Sequence, residues 1–240
     1  MPLPKINAPT YELELPSSGK KVKYRPFLVR EEKILIMALE SQDMKQIASA
    51  ITDVLKSCIL SRGIKIEKLA TFDIEYLFLN VRARSVGETV DVNVTCPDDE
   101  KTQVEMEIDI DAIKIQKNPE HTKLIKLDDN LSVEMNYPSF QEFINTNFEF
   151  EGDDNEVDKS FDIITACIGQ VFTEEESWSG SDCTKKELKE FVESMNSKQF
   201  KDVETFFSTM PKLSHKIKVK NPVTEVESEV VLEGLASFFS

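Results

Sequence analysis

The chain has 240 residues, with 29 Lys+Arg against 44 Asp+Glu, a formal net charge of −15 and 40% hydrophobic residues. That balance suits a folded globular protein rather than a disordered one, and it opposes both nucleic-acid binding and adsorption to anionic membranes. Two His, His121 and His215, and one Trp, Trp178, leave little for acid–base or metal chemistry, and no glycine-rich phosphate loop is present.

Residues 1–18 carry Pro2, Pro4, Pro9 and Pro16 around the alternating Tyr11-Glu12-Leu13-Glu14-Leu15. They read as an extended arm holding a short strand, one that pairs with a sheet edge or reaches a partner. The opening Met1-Pro2-Leu3-Pro4-Lys5 lacks the apolar run of a signal peptide, and no membrane-spanning run follows. After a Ser17–Lys20 turn, Lys21–Arg25 alternates as a strand ending at Pro26. A helix follows over Val29–Leu39, with Ile34, Leu35, Met37, Ala38 and Leu39 crowding one side. Asp43 can cap a second helix reaching about Leu60, on which Ile47, Ala50, Ile51, Val54, Leu55 and Cys58 recur at helical steps. A third helix after Thr71 carries Ile74, Leu77, Phe78 and Val81 on one face. Val90–Val94 and Val104–Ile108 then form a hairpin that reverses at Pro97-Asp98-Asp99-Glu100.

Residues 109–124 read as a connection to a second half in the same order. Leu131–Met135 is a strand ending at Tyr137-Pro138, followed by helical periodicity at Phe140, Phe143 and Ile144, then across Phe161, Ile164, Ile168 and Val171. Acidic residues crowd Glu149–Asp158. Thr184-x-x-Glu187 is a capping box, Phe200–Met210 an apolar-faced helix, and His215–Val219 with Glu229–Leu232 a closing hairpin turning near Asn221-Pro222. Landmarks recur in order: Val22–Phe27 with Glu134–Ser139, Cys58-Ile59 with Cys167-Ile168, Asp73–Phe78 with Asp202–Phe207, and Val92–Pro97 with Ile217–Pro222. The expected class is α+β, in two tandem, divergently duplicated modules each with a strand, helices and a β-hairpin. The boundaries are an N-terminal arm over 1–19, a first module over 20–118, and a second over 119–240 with an acidic insertion near 173–192.

Candidate chemistry reads as ordinary structure. Asp98-Asp99-Glu100 and Asp128-Asp129 sit in turns, where Asp is favoured for backbone reasons. Asp153–Asp158 lacks the spacing and central Gly of a calcium loop. Cys96 at a hairpin tip lacks the second cysteine of a zinc knuckle, and neither His stands on a scaffold that pairs it with Cys58, Cys96, Cys167 or Cys183. Arg25, Arg30, Lys33, Arg82 and Arg84 read as helix-end and intramolecular charges. The expectation is no catalytic, cofactor-binding or metal residue, and no cofactor.

Tyr24-Arg25-Pro26-Phe27-Leu28-Val29-Arg30-Glu31-Glu32-Lys33-Ile34-Leu35 resembles the baseplate hub proteins of T4-type contractile-tailed phages, hub subunits or hub-assembly chaperones. Phe72–Phe78, Arg82–Glu88, the hairpin around Cys96-Pro97 and Leu232–Phe239 carry the same resemblance, which spans nearly the whole chain and is strongest over 20–112. Some relatives have a Cys-x-x-Cys at the first hairpin tip, where this chain has Cys96 followed by Asp98-Asp99. The resemblance implies a non-enzymatic factor for baseplate hub assembly, working through contacts with other phage baseplate hub proteins in the host cytoplasm during tail assembly. The alternatives are a stoichiometric hub subunit retained in the virion tail baseplate and a tail-associated hydrolase. The expected partner-binding residues are Tyr11, Leu13 and Leu15 of the arm and Phe238 and Phe239 of the apolar tail. Deleting 1–18 or 236–240 is expected to weaken partner binding while the body stays folded.

Overall fold

The computed structural model describes residues 6–142, 144, 156–234 and 237. Helices and small antiparallel sheets mix along the chain, so the class is α+β. It separates into two compact units, one of Met1–Ile66, Phe72–Gln116 and Lys212–Ser240, the other of Glu67–Thr71 and Lys117–Pro211.

In the first unit β1 (Tyr11–Glu14) pairs antiparallel with β2 (Lys21–Tyr24) through a turn at residues 15–20. Leu13, Leu15, Val22 and Tyr24 are buried, as alternation requires of strands with one apolar face. Asp73, fully buried, fixes the turn by accepting from the Ser17 N–H at 3.0 Å and from the Ser17 hydroxyl. The arm is therefore part of the body. Deleting 1–18 would strip Leu13 and Leu15 from the core, so that truncation tests folding as much as binding.

Helix α1 (Val29–Ser41) packs on α2 (Met44–Cys58), whose N-terminus Asp43 caps by accepting from the Lys45 and Gln46 N–H groups. α3 (Thr71–Ala83) buries Ile74, Leu77, Phe78 and Val81, the face its periodicity marks. The hairpin β3 (Thr89–Thr95) and β4 (Gln103–Asp109) follows, then the short strand β5 (Lys114–Gln116).

The second unit holds β6 (Leu124–Lys126), β7 (Ser132–Met135), α4 (Glu156–Ala166), β8 (Ile168–Phe172), β9 (Ser177–Ser179), α5 (Lys185–Glu193) and α6 (Ser197–Thr209). Its sheet runs β6-β7-β8-β9, all antiparallel. Val133, Met135, Ile164, Cys167, Ile168, Val192, Val203 and Phe206 lead its core. The Thr184–Glu187 capping box is present. Ile168 and Val171, read from periodicity as helical, lie instead in β8. α4 stops at Ala166 and the next residues pair with both β7 and β9.

β9 runs straight into Gly180, where an ideal Cβ would stand 2.1 Å from the Ile168 carbonyl oxygen. That neighbour is backbone and cannot swing away, so Gly180→Ala should cost about 2 kcal/mol, in the range of overpacked sites. Urea denaturation checks this; an unchanged midpoint would show that β8 and β9 shift freely.

The repetition of landmarks extends to individual hydrogen bonds. Tyr24 bridges Ile59 while the Arg25 N–H donates to the Cys58 carbonyl at 3.0 Å. At the later landmark Met135 pairs with Ile168 and the Asn136 N–H donates to the Cys167 carbonyl at 2.7 Å. The Leu28 and Ser139 N–H groups each donate at 2.8 Å to a Glu three residues on, Glu31 and Glu142. Glu100 and Glu225 both adopt left-handed φ, 56° and 61°, and each donates its N–H at 2.9 Å to the carbonyl of the residue before the turn proline, Cys96 or Asn221.

The two compact units are not continuous stretches of the chain. The closing hairpin β10 (Lys212–Lys220) and β11 (Glu227–Glu233) belongs to the first unit, because β10 pairs antiparallel with β5. The two hairpin tips of that unit also join. Asp98 accepts from Asn221 Nδ2 at 3.0 Å and from the Thr224 hydroxyl, bonds that hold its carboxyl below the usual range.

Candidate partner-binding surface

The apolar residues of α1, Val29 and Ile34–Leu39, are spread around the helix among five charged ones, so burying one side leaves apolar side chains on the other. The chain buries only part of it. Glu31 and Ala38 face inward, and Glu31 is 2% exposed despite its charge. It accepts from Arg25 at 3.0 Å, from Arg30 Nε at 2.7 Å and from the Leu28 N–H at 2.8 Å. Burial alone would raise its carboxyl pKa, but these donors outweigh it and hold the group down at about 2. A buried, paired carboxylate thus sits where periodicity would place an apolar side chain.

The consequence lies on the other side of the helix. Val29 is 79% exposed, Met37 60% and Ile36 49%, with Leu28, Ile34 and Leu39 also exposed beside them. Ile34, Met37 and Leu39, which the sequence reading grouped on one side of the helix, are therefore at the surface of the described chain. Lys33 and Glu40 share this outward strip. Contiguous exposed apolar side chains on a charged, otherwise polar surface mark a contact site.

The residues expected to bind partners are placed differently. Leu13 and Leu15 lie in the chain's own core. Tyr11 is half-buried, its ring 5.8 Å from that of Tyr24 and beneath the Arg84 guanidinium at 5.4 Å. Phe238 and Phe239 lie outside the described residues. The outward face of α1 is not the one expected, because the buried side is chosen by Glu31 and Ala38 and leaves Ile34, Met37 and Leu39 outside.

Burial pushes the Cys58 thiol up to about 11 and also raises Cys96 and Cys167, the reverse of an activated nucleophile. Asp99 is engaged by Thr102 and by the Lys101 N–H, and Asp128 by the Asn130 and Leu131 N–H groups, as turn residues are. The Asp153–Asp158 reading falls largely outside the described residues. Among the described residues no group of three or more His, Cys, Asp or Glu is placed to hold a metal, and no helix is long and apolar enough to cross a membrane.

His121, in the second unit, has both ring nitrogens engaged. The Thr209 hydroxyl donates to the Thr205 carbonyl, so it accepts from Nδ1–H at 3.0 Å, and Nε2 accepts from the Tyr137 hydroxyl at 3.1 Å. The ring stacks with Tyr137 and tilts against Phe206. Burial, then the nearby Lys123, lowers its pKa and so favours the neutral ring. In the unfolded chain His titrates near about 6.5, so there the unfolded state takes up the proton first. Stability is therefore full above that value and declines as pH falls through it towards the lower folded pKa. Melting temperature should drop between pH 7 and 5.5 in the parent chain and drop less in His121→Phe. Equal slopes would mean that His121 titrates alike in both states.

Against known proteins, a family model described as T4 bacteriophage base plate protein matches residues 8–240. No curated protein and no solved structure matches the chain. The match covers both units and every described element, so the chain belongs to the T4 bacteriophage base plate protein family.

Proposed function

We propose that the chain acts in assembly of the baseplate hub as a non-enzymatic assembly chaperone, binding other phage baseplate hub proteins in the host cytoplasm through the outward face of α1. Membership of a baseplate family supplies the setting, a structure built from protein–protein contacts. The observation that carries the reading is the exposure of Val29, Ile36 and Met37 on a helix already anchored by Arg25 and Glu31. Large apolar side chains of this kind supply the central energy of protein interfaces. Raised cysteine pKa values and an engaged His121 fit a binding protein better than a hydrolase. Tyr11, at the edge of β1, and Phe238 and Phe239 remain further candidate contacts.

A chaperone leaves before the tail matures, whereas a structural subunit stays. Quantitative mass spectrometry of purified tails separates the two. The chaperone reading expects the chain far below the abundance of the hub proteins, and stoichiometric abundance would make it a retained subunit.

A further inference from the structure

We propose that in the free protein the outward face of α1 is covered by α1 of a second copy, the two helices antiparallel, with Lys33 of each opposite Glu40 of the other. The inference rests on the reading of this face as a contact surface and names what occupies it before a baseplate partner does.

At 3.6 residues per turn, Val29, Lys33, Ile36, Met37 and Glu40 fall in one strip, on the side of the helix away from buried Glu31 and Ala38. Lys33 and Glu40 are two turns apart, about 10 Å, with Ile36 and Met37 midway between them. The strip therefore reads Lys-x-x-Ile-Met-x-x-Glu. A twofold axis between Ile36 and Met37 turns it onto itself. Lys33 then meets the other copy's Glu40, Ile36 meets the other copy's Met37, and each contact occurs twice. Parallel pairing would set Lys33 against Lys33 and Glu40 against Glu40, so charge selects the antiparallel arrangement. Lys33 and Glu40 are both exposed, and among the described residues neither is in an ion pair. The apolar centre supplies the attraction and the two charges at its ends fix the register.

Sedimentation velocity of the full chain tests this, with circular dichroism to confirm that each variant is folded. The parent should be mostly dimeric at about 100 μM, as a contact with a Kd of about 10 μM or tighter requires. Lys33→Glu and Glu40→Lys each turn two attractions into two repulsions and should weaken the dimer about tenfold. The double variant K33E/E40K restores opposite charges across the axis and should recover the parent's association. A parent that stays monomeric, single variants that dimerise unchanged, or a double variant no better than the singles would each overturn self-pairing. Capture of co-expressed baseplate proteins by Met37→Asp separates the two readings. Lost capture by a chain whose parent is monomeric removes the dimer and leaves the contact surface standing. Retained capture removes the surface itself.

Discussion

Replacing Glu31 with Ala should destabilise the first unit by about 3 kcal/mol, the scale for breaking a buried ion pair from one side. The loss has two parts. Arg25, whose side chain is 14% exposed, keeps its charge but loses its carboxylate partner, and the Leu28 N–H at the start of α1 loses its acceptor. Glu31→Gln should cost less, because an amide oxygen can still accept from Leu28. The pH dependence follows from the depressed pKa. Unfolded, the carboxyl titrates near 4.5, and folded near 2. The stabilisation is therefore complete above about 4.5 and disappears as pH falls towards 2, and by linkage it amounts to about 3 kcal/mol at neutral pH. At pH 3 about 2 kcal/mol of that should already be gone, so the gap between parent and Glu31→Gln in urea midpoint should narrow sharply. A gap that stays constant from pH 7 to pH 3 would show that the pair is not what fixes the helix.

This pair is also the reason α1 presents the face it does, and it marks the limit of what the sequence could say. α2 and both hairpins were legible because their apolar residues recur at one period and mark one face. For α1 the sequence puts Ile34, Leu35, Met37, Ala38 and Leu39 on one side, whereas the structure buries Ala38 and leaves Ile34, Met37 and Leu39 exposed. What decides is a charged residue, Glu31, turned inward to meet Arg25, which follows β2 and whose N–H donates to the Cys58 carbonyl at the end of α2. The recurring landmarks Pro26 with Pro138, Cys58 with Cys167 and Pro97 with Pro222 sit where similar backbone hydrogen bonds occur. The pairing of β10 with β5 was not visible. β5 has only three residues, too few to show alternation, and its partner lies almost a hundred positions along the chain. Ile168 and Val171 misled for a related reason: their spacing continues the rhythm of α4 although Cys167 has already ended the helix.

The largest effect on function should come from α1 itself. Val29 and Met37 touch solvent more than any core position allows, so the double variant Val29→Asp/Met37→Asp should leave the urea midpoint nearly unchanged. Two carboxylates in the middle of an apolar contact cannot be desolvated without a counter-charge, so partner affinity should fall about thirtyfold or more, the scale of a lost hot spot of about 2 kcal/mol. A truncation of the arm is a poorer probe, because Leu13 and Leu15 belong to the core. Position also matters: Lys56→Glu, an exposed change on α2, adds acid without altering the α1 strip and should leave capture intact.

The most direct measurement is quantitative capture of co-expressed baseplate proteins by the parent chain, by V29D/M37D and by K56E, each shown to be folded. Capture should occur with the parent and with K56E and be lost in V29D/M37D. Capture by V29D/M37D equal to that of the parent would contradict it and place the contact on another face of the molecule.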